Sequence, residues 1–262
     1  MIRRLGNIAL ELWLPITVFV LWWVLSADST STYYPPLSKI IDTFRQDWIF
    51  KHVSTDLVPS LWRIAEAFGL SVVLGVGAGL VIGSSELLRS TVEPTLEFIR
   101  SIPAAAILPV AILLFGISDR QKVFIITFGA VWPILLNTIE GVRGVDPAFQ
   151  EVGQAYSFRR WEQLVYVTLP AALPQIMAGM RVALSIAILL LIYAELYAAT
   201  DGVGYYILNA QQLFEIPQMW AGIFVICILA YLANLLFAAI EHRALYWHRG
   251  WRASQLGEGA SR

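Results

Sequence analysis

Long apolar runs constrain this chain more than any other feature. A hydrocarbon core about 30 Å thick needs roughly 20 consecutive apolar residues in a helix, and runs near that length recur along the sequence, as in Ala67–Gly83 and Trp220–Ile240. Hydrophobic residues make up 58% of the 262 residues and charged residues only 14%, a far more apolar balance than that of soluble domains. The sequence therefore predicts an all-α protein that spans a membrane.

Six segments are candidate transmembrane helices. The third is the weakest of them, because it contains Pro103 and Pro109. The first follows Arg3 and Arg4 and could instead be a signal peptide, but its length and its tryptophans favour a membrane helix. The predicted spans are about residues 8–27, 67–83, 102–117, 123–139, 176–198 and 220–240.

The distribution of positive charge predicts the orientation. Cytoplasmic loops of membrane proteins carry an excess of Lys and Arg. If the N-terminus is cytoplasmic, most Lys and Arg residues fall in inside segments, whereas the outside loop 200–219 contains none. Both termini are therefore predicted to be cytoplasmic, which also places the fourth-to-fifth connection in the cytoplasm.

That connection is polar and aromatic: EVGQAYSFRRWEQLVYVTLP, residues 151–170. Just before it, Asp146 can act as the N-cap of a helix whose first residue is proline, and this pattern predicts a short helix over residues 148–156. Ser157 is expected to interrupt that helix and to cap a second one over about residues 159–168.

Two uses of this connection remain open on physical grounds. Two short amphipathic helices suit docking into a groove on a partner protein, while the same helices could lie on lipid headgroups with Arg159 and Arg160 reaching the phosphates. Pro170 and Pro174 are expected to end the second helix before the fifth span begins.

The connection resembles the EAA loop of permease subunits of ATP-binding-cassette (ABC) importers. That pattern is Glu-Ala-Ala, three residues, Gly, and a hydrophobic helix ending in Leu-Pro; Glu151 matches its acidic residue, and Leu169 with Pro170 matches its ending. Further stretches over most of residues 63–240 are similar to the nitrate, sulfonate, taurine and bicarbonate branch of these permeases: SIPAAAILPVAILLFGIS, GAVWPILLNTIEGVRGVDPAF, LPAALPQIMAGMRVALSIA and DGVGYYILNAQ.

The chain departs from the pattern at three positions. Val152 and Gly153 stand where the pattern has two alanines, and Ser157 stands where it has glycine. Because glycine there permits a sharp turn, Ser157 is expected either to take a strained backbone conformation or to bend the chain less.

The resemblance implies the six-helix fold of type I ABC importer permeases (MetI-like), as one permease domain over residues 1–262 in the bacterial inner membrane. Its implied partners are a second permease copy, two cytoplasmic ATPase subunits that bind ATP and Mg, and an extracytoplasmic solute-binding protein. No cofactor is expected in this chain. Within the coupling segment, residues 146–170, the residues implied to couple to the ATPase are Glu151, Val152, Gly153, Ser157, Phe158, Arg159, Arg160, Trp161, Leu169 and Pro170.

The branch also implies a substrate, a small oxyanion such as nitrate, a sulfonate, taurine or bicarbonate. The same machinery carrying a neutral or heterocyclic compound is the alternative. A passive channel or a secondary carrier is the contrasting class, but a proton- or ion-coupled carrier would be expected to place carboxylates near the bilayer midplane. The sequence offers no nucleophile with a base, no metal-ligand spacing and no phosphate-binding glycine loop, so an enzyme is not expected. A formal net charge of -1 gives no support for nucleic-acid binding.

Polar residues in the predicted spans are candidates for the translocation pathway: Arg181, Glu195 and Asn137. A charge at bilayer depth costs about 2.5–3.5 kcal/mol. Arg181 could contact an anionic substrate or form a gating ion pair. A structural pair with Glu140 or a helix-end carbonyl, or snorkelling to the cytoplasmic interface, is favoured because Arg181 lies near the cytoplasmic end of its span. Glu195 could line the outer mouth or lie in interfacial water. Asn137 is a weaker candidate, since lone amides usually bond between helices.

The second span carries glycines at four-residue intervals, Gly75, Gly79 and Gly83. Small residues at this spacing lie on one face and let two helices approach closely. The partner helix could belong to the same chain or to a second copy.

Overall fold

The computed structural model describes residues 2–49 and 51–247, and within them every regular element is helical. Short turns of wider or tighter helix occur at Val53–Leu57, Ala104–Ile107 and Leu164–Thr168. The α-helices are α1 (Ile2–Ser26), α2 (Leu37–Trp48), α3 (Val58–Gly83), α4 (Glu86–Arg100), α5 (Leu108–Phe115), α6 (Asp119–Arg143), α7 (Pro147–Ala155), α8 (Arg160–Gln163), α9 (Leu169–Tyr197), α10 (Val203–Gln212) and α11 (Ile216–Ala244).

Helices occupy all six segments that the sequence predicts to span the membrane. Within the described ranges, four helical stretches are long and apolar enough to cross a bilayer: Val53–Gly83, Asp119–Arg143, Arg160–Tyr197 and Ile216–Ala244. The first predicted span falls on α1, whose Ile16–Ser26 part is a shorter apolar helix. The all-α membrane architecture is confirmed.

The third predicted span is a bent pair of helices. Glu86–Arg100 and Ala104–Phe115 qualify together as one broken span, with a bend of 76° between them. The sequence analysis placed this span at residues 102–117 and did not anticipate α4. Ser85 caps α4 by accepting a hydrogen bond from the Leu88 N–H at 3.3 Å. The helix ends at Arg100 because Pro103 disfavours helical backbone at the residue before it.

The chain folds as two compact units, residues 1–59 with 200–227 and residues 60–199 with 228–262. The expectation of a single permease domain over residues 1–262 stays a prediction.

The first unit contains a cluster of packed aromatic rings. The Trp22 ring lies 5.4 Å from Trp220 and 5.7 Å from Phe224, centroid to centroid. The Tyr206 hydroxyl donates to the Asp47 carboxylate at 2.8 Å. Burial raises the pKa of the Tyr206 phenol well above its usual value, and the Asp47 carboxylate adds to the rise. The phenol therefore remains a hydrogen-bond donor at physiological pH.

The second unit is built on α6 and α9, which pack together more extensively than any other pair of described helices. The α3 glycines face α6. A Cβ placed on Gly79 would lie 2.5 Å from Thr138 Cβ and 3.0 Å from the Leu135 carbonyl oxygen, and one on Gly75 would lie 2.8 Å from Ile134 Cβ. The helix that the glycine stripe packs against therefore belongs to the same chain.

This packing predicts that Gly79→Leu lowers the free energy of unfolding by about 1–3 kcal/mol, the usual cost of overpacking. The matched control is Gly77→Leu, which makes the same substitution on the same helix where no atom lies within 4 Å of the added Cβ. Thermal or denaturant unfolding in detergent gives the comparison. Equal destabilisation by the two substitutions would show that the α3–α6 contact is wrong.

Candidate functional site

The coupling segment begins as the sequence predicts. The Asp146 carboxylate accepts a hydrogen bond from the Ala148 N–H at 2.9 Å, so Asp146 caps α7, which runs from Pro147 to Ala155. The structure thereby confirms both the cap and the first short helix. Glu151 lies on α7 with its side chain exposed.

Ser157 takes the strained of the two conformations expected for it. Its φ is 55°, in the left-handed region, which costs a residue with a Cβ roughly 1–2 kcal/mol. The Phe158 N–H donates to the Gly153 carbonyl at 2.9 Å and closes the end of α7. A Cβ on Gly153 would lie 1.7 Å from Gln163 Oε1, so Gly153 leaves room for the Gln163 amide of α8. The chain keeps the sharp turn of the EAA pattern without its glycine.

The second helix differs from the prediction at both ends. Its N-cap is Arg159, whose N–H donates to the Glu162 carboxylate at 2.7 Å; Ser157 is in the turn and does not cap it. The helix also does not end before the fifth span, because α8, the π-helical turn Leu164–Thr168 and α9 follow one another without a break. Pro170 is the second residue of α9, directly after the π-helical turn. The second short helix of the coupling segment is thus continuous with α9.

Exposed side chains cover this segment. An aromatic row, defined as Tyr156, Phe158, Trp161 and Tyr166, has neighbouring ring centroids 6.2–6.5 Å apart, and all four residues are exposed. Glu151, Arg159 and Arg160 are exposed too, whereas Leu169 and Pro170 are half-buried at the start of α9. Val152 lies within α7.

Exposed aromatic rings interleaved with charges suit burial against a protein partner, since aromatic and arginine side chains dominate interface energetics. The sequence analysis missed Tyr156 and Tyr166 as members of this surface. The signal was present as aromatic residues flanking the turn and the short helix, but only the fold brings their rings together.

Arg181 forms an ion pair with Glu241 of α11. The expected pair with Glu140 is wrong, because Glu140 is engaged one turn away on its own helix by Arg143 at 2.8 Å. Arg181 does form an ion pair, as expected, but its partner lies on α11 and not on α6.

Glu195 is part of a buried charge network, defined as Ser60, Arg63, Asp119, Lys122 and Glu195, whose side chains are buried except that of Asp119, which is 66% exposed. Glu195 and Arg63 are only 1% and 2% exposed. The Glu195 carboxylate accepts hydrogen bonds from the Ser60 hydroxyl at 2.7 and 2.9 Å and from Arg63 at 2.8 Å. Arg63 Nε also donates to Asp119 at 2.7 Å, and Lys122 lies 3.5 Å from the same carboxylate.

This network overturns both expectations for Glu195, which lies neither at an open mouth nor in interfacial water. The predicted second span, residues 67–83, leaves out Arg63, whereas α3 begins at Val58 and includes it. The network links α3, α6 and α9 through hydrogen bonds and ion pairs, so its role is structural.

Asn137 bonds between helices. Its amide nitrogen donates to the Pro133 carbonyl at 2.8 Å, and its oxygen accepts from Gln175 of α9 at 2.9 Å. The structural interpretation of this amide is therefore favoured over a pathway role. In the part of the chain that the structure describes, no group of three or more His, Cys, Asp or Glu residues could hold a metal ion.

Comparison with known proteins gives consistent matches over most of the chain. A family model described as "Binding-protein-dependent transport system inner membrane component" matches residues 71–246. A Bacillus subtilis (strain 168) relative named for aliphatic sulfonates transport, permease protein SsuC, is 33% identical over 240 residues, which is 91% of this chain and 87% of the relative.

Two further relatives are the taurine transport system permease protein TauC of Escherichia coli (strain K12) and the bicarbonate transport system permease protein CmpB of Synechococcus elongatus. TauC is 29% identical, covering 88% of this chain and 86% of its own length. CmpB is 28% identical, covering 80% of each.

Solved structures match in fold. A structure of the MetNI methionine ABC transporter in inward-facing conformations superposes with a TM-score of 0.61 at 19% identity, over 72% of this chain and 94% of the matched chain. An amino acid ABC transporter superposes with a TM-score of 0.54 at 16% identity, over 81% and 96%.

Proposed function

The chain belongs to the family of binding-protein-dependent transport system inner membrane components and has the fold of type I ABC importer permeases, and we propose that it carries a small oxyanion into the cell. It is a permease of the ABC importer class, in which ATP drives uptake of a solute delivered by a binding protein. The relatives named for sulfonates, taurine and bicarbonate support the substrate class, since all three solutes are small and carry an oxyanion group.

The coupling segment is the observation that supports transport driven by an ATPase. It presents the aromatic row and exposed charges on a short helix that runs through a π-helical turn into α9. A groove on an ATPase subunit that covers this surface would bury the rings and pair with the charges. When the ATPase subunits close on ATP, the segment moves with them. Because α8 continues into α9 without a break, α9 moves too.

The motion then reaches the rest of the second unit. Because α9 packs along α6 more extensively than any other described helix pair, a tilt of α9 displaces α6 as well. Packed helices respond by rigid shifts rather than by continuous deformation. Repeated closing and opening of the ATPase subunits would thus alternate the pathway between its inward-open and outward-open forms.

The working assembly has two copies of this permease, two cytoplasmic ATPase subunits and one extracytoplasmic binding protein in the bacterial inner membrane. Both termini and the coupling segment face the cytoplasm. The ATPase subunits bind ATP and Mg and hydrolyse the nucleotide, whereas this chain translocates the solute and performs no chemistry on it.

The substrate class is tested on the cognate binding protein. We expect its thermal midpoint to rise with at least one of taurine, 1-butanesulfonate, nitrate and bicarbonate, because a protein is stabilised by any ligand that binds only its folded state. Glycerol and thymine, which are neutral, serve as controls. A rise with a neutral compound and with none of the four anions would reject the oxyanion proposal.

A further inference from the structure

The break in the third span borders a cleft. Its volume is about 580 Å³, and its walls come from the break after α4, from the middle of α6 and from α9. Non-helical backbone at membrane depth is tolerated where it is covered by protein or lines a polar cavity. In membrane transporters, solute sites form at interrupted helices of this kind. The bend between α4 and α5 therefore makes this cleft a candidate solute site.

The cleft lies at mid-depth in the bilayer. Trp132, one of its wall residues, stands midway along α6, a helix of 25 residues. Such a helix is about 37 Å long at 1.5 Å per residue, so its middle falls near the centre of a hydrocarbon core about 30 Å thick. The other wall residues on α6 and α9 are at matching depth because those helices pack side by side.

Arg100 is the only charged residue among the described residues that line this cleft. Arg100 and Trp132 both line the cleft, Arg100 at the end of α4 and Trp132 from the middle of α6. Its described ion-pair partner is Glu97, one turn back on α4 and 3.4 Å away. The two side chains are 47% and 64% exposed, so the pair with Glu97 leaves about half of the arginine side chain uncovered. An incoming anion can therefore take the place of Glu97 at the guanidinium.

The remaining wall is mainly apolar. Phe128, Leu136, Ile186 and Leu189 are among its apolar residues. Ser101 also lines the cleft, and its hydroxyl donates to the Glu97 carbonyl at 2.7 Å. Ligand sites of small molecules commonly have this character: an apolar lining, a few polar groups and a volume of about 300–1,000 Å³. One cation at the edge of an apolar cleft suits a monoanion with a short hydrocarbon chain better than a compact inorganic oxyanion.

We propose that this cleft is the transmembrane binding site for the transported solute, that Arg100 contacts the anionic group, and that the solute is a monoanion with a short apolar chain, such as an alkanesulfonate. This inference rests on the proposed function and adds to it a site, a residue and a narrower substrate class. The planar guanidinium holds two oxygens of a sulfonate at once, while the aliphatic chain lies against Leu189 and Phe128.

The test uses the complete importer, with permease, ATPase and cognate binding protein, in proteoliposomes loaded with ATP. Uptake of 1-butanesulfonate is measured for Arg100→Gln, and we expect a fall of about tenfold or more, the effect of losing one charged hydrogen-bonded contact. Arg100→Lys should retain part of the uptake, because the charge remains without the planar fork. The control is Arg143→Gln, which removes an arginine paired with Glu140 outside the cleft and should leave uptake unchanged.

A second pair of variants keeps the test decisive if Arg100→Gln does not assemble. Leu189→Trp fills the cleft, whereas Leu236→Trp adds the same bulk at a position of equal exposure on α11, since each leucine is 65% exposed. We expect only Leu189→Trp to reduce 1-butanesulfonate uptake.

The possible outcomes distinguish failure of the proposed binding site from failure of the proposed function. Wild-type uptake of 1-butanesulfonate together with unchanged uptake in Arg100→Gln or Leu189→Trp would overturn the site assignment and leave the importer function standing. ATP-driven uptake of nitrate or bicarbonate but not of 1-butanesulfonate by the wild type would overturn the narrower substrate class. A wild-type importer that takes up none of these anions would reject the proposed oxyanion function itself.

Discussion

Arg63→Met is expected to lower the free energy of unfolding by about 3–5 kcal/mol, the usual cost of removing one partner of a buried ion pair. Arg63 and Glu195 are almost completely buried, and the guanidinium bridges Glu195 and Asp119. Its removal leaves the Glu195 carboxylate in the protein interior without the arginine that balances its charge. Methionine preserves most of the side-chain volume, so the loss is electrostatic rather than steric.

The matched control is Arg143→Met, which removes an arginine from the pair with Glu140. That pair is partly exposed on one helix, with side chains 42% and 60% exposed, so its loss should cost less than about 1 kcal/mol. The double variant Arg63→Met with Glu195→Leu should regain much of the lost stability, because no uncompensated charge then remains. Denaturant unfolding of the purified protein in detergent measures all three. Equal effects of Arg63→Met and Arg143→Met would contradict the buried network.

Glu151→Lys is expected to reduce ATP-driven uptake by about tenfold or more while leaving the thermal midpoint of the permease unchanged. Glu151 is exposed on α7, so reversing its charge does not disturb the fold. At an interface with an ATPase, the reversal turns an attraction into a repulsion, and like-charge contacts cost several kcal/mol, whereas 1.4 kcal/mol already corresponds to a factor of ten.

Glu86→Lys provides the control for that prediction. Glu86 is a glutamate at the start of α4 whose side chain is 78% exposed, outside the coupling segment. Its reversal should leave both uptake and ATPase binding near wild-type values. If Glu151→Lys bound the ATPase and transported solute as well as Glu86→Lys does, Glu151 would have no coupling role.

The membrane spans were largely predictable because hydropathy is a local property of the sequence. The N-cap at Asp146 was predictable for the same reason, since the cap and its proline are adjacent in the chain. The glycine of the EAA pattern left two backbone conformations open for Ser157, and the choice between them depended on Gly153 and Phe158 closing the turn.

The buried charge network was not predictable from local patterns. Arg63 and Glu195 are 132 residues apart in the chain, and neither flanking sequence specifies the other as a partner. The same limit explains the wrong partner for Arg181, which pairs with Glu241 at a separation of 60 residues. The position of Arg100 on the cleft also required the fold, because the wall residues from α6 and α9 lie far from it in the chain.

ATP dependence of uptake is the most direct test of the central claim that this permease is driven by an ATPase docked on the coupling segment. Proteoliposomes containing the permease, its ATPase and its binding protein are assayed for oxyanion uptake with and without internal ATP. Uptake should require ATP and the binding protein, and it should fall in Glu151→Lys. Uptake at the same rate by the permease alone, without ATP or partners, would contradict the claim and indicate a secondary carrier.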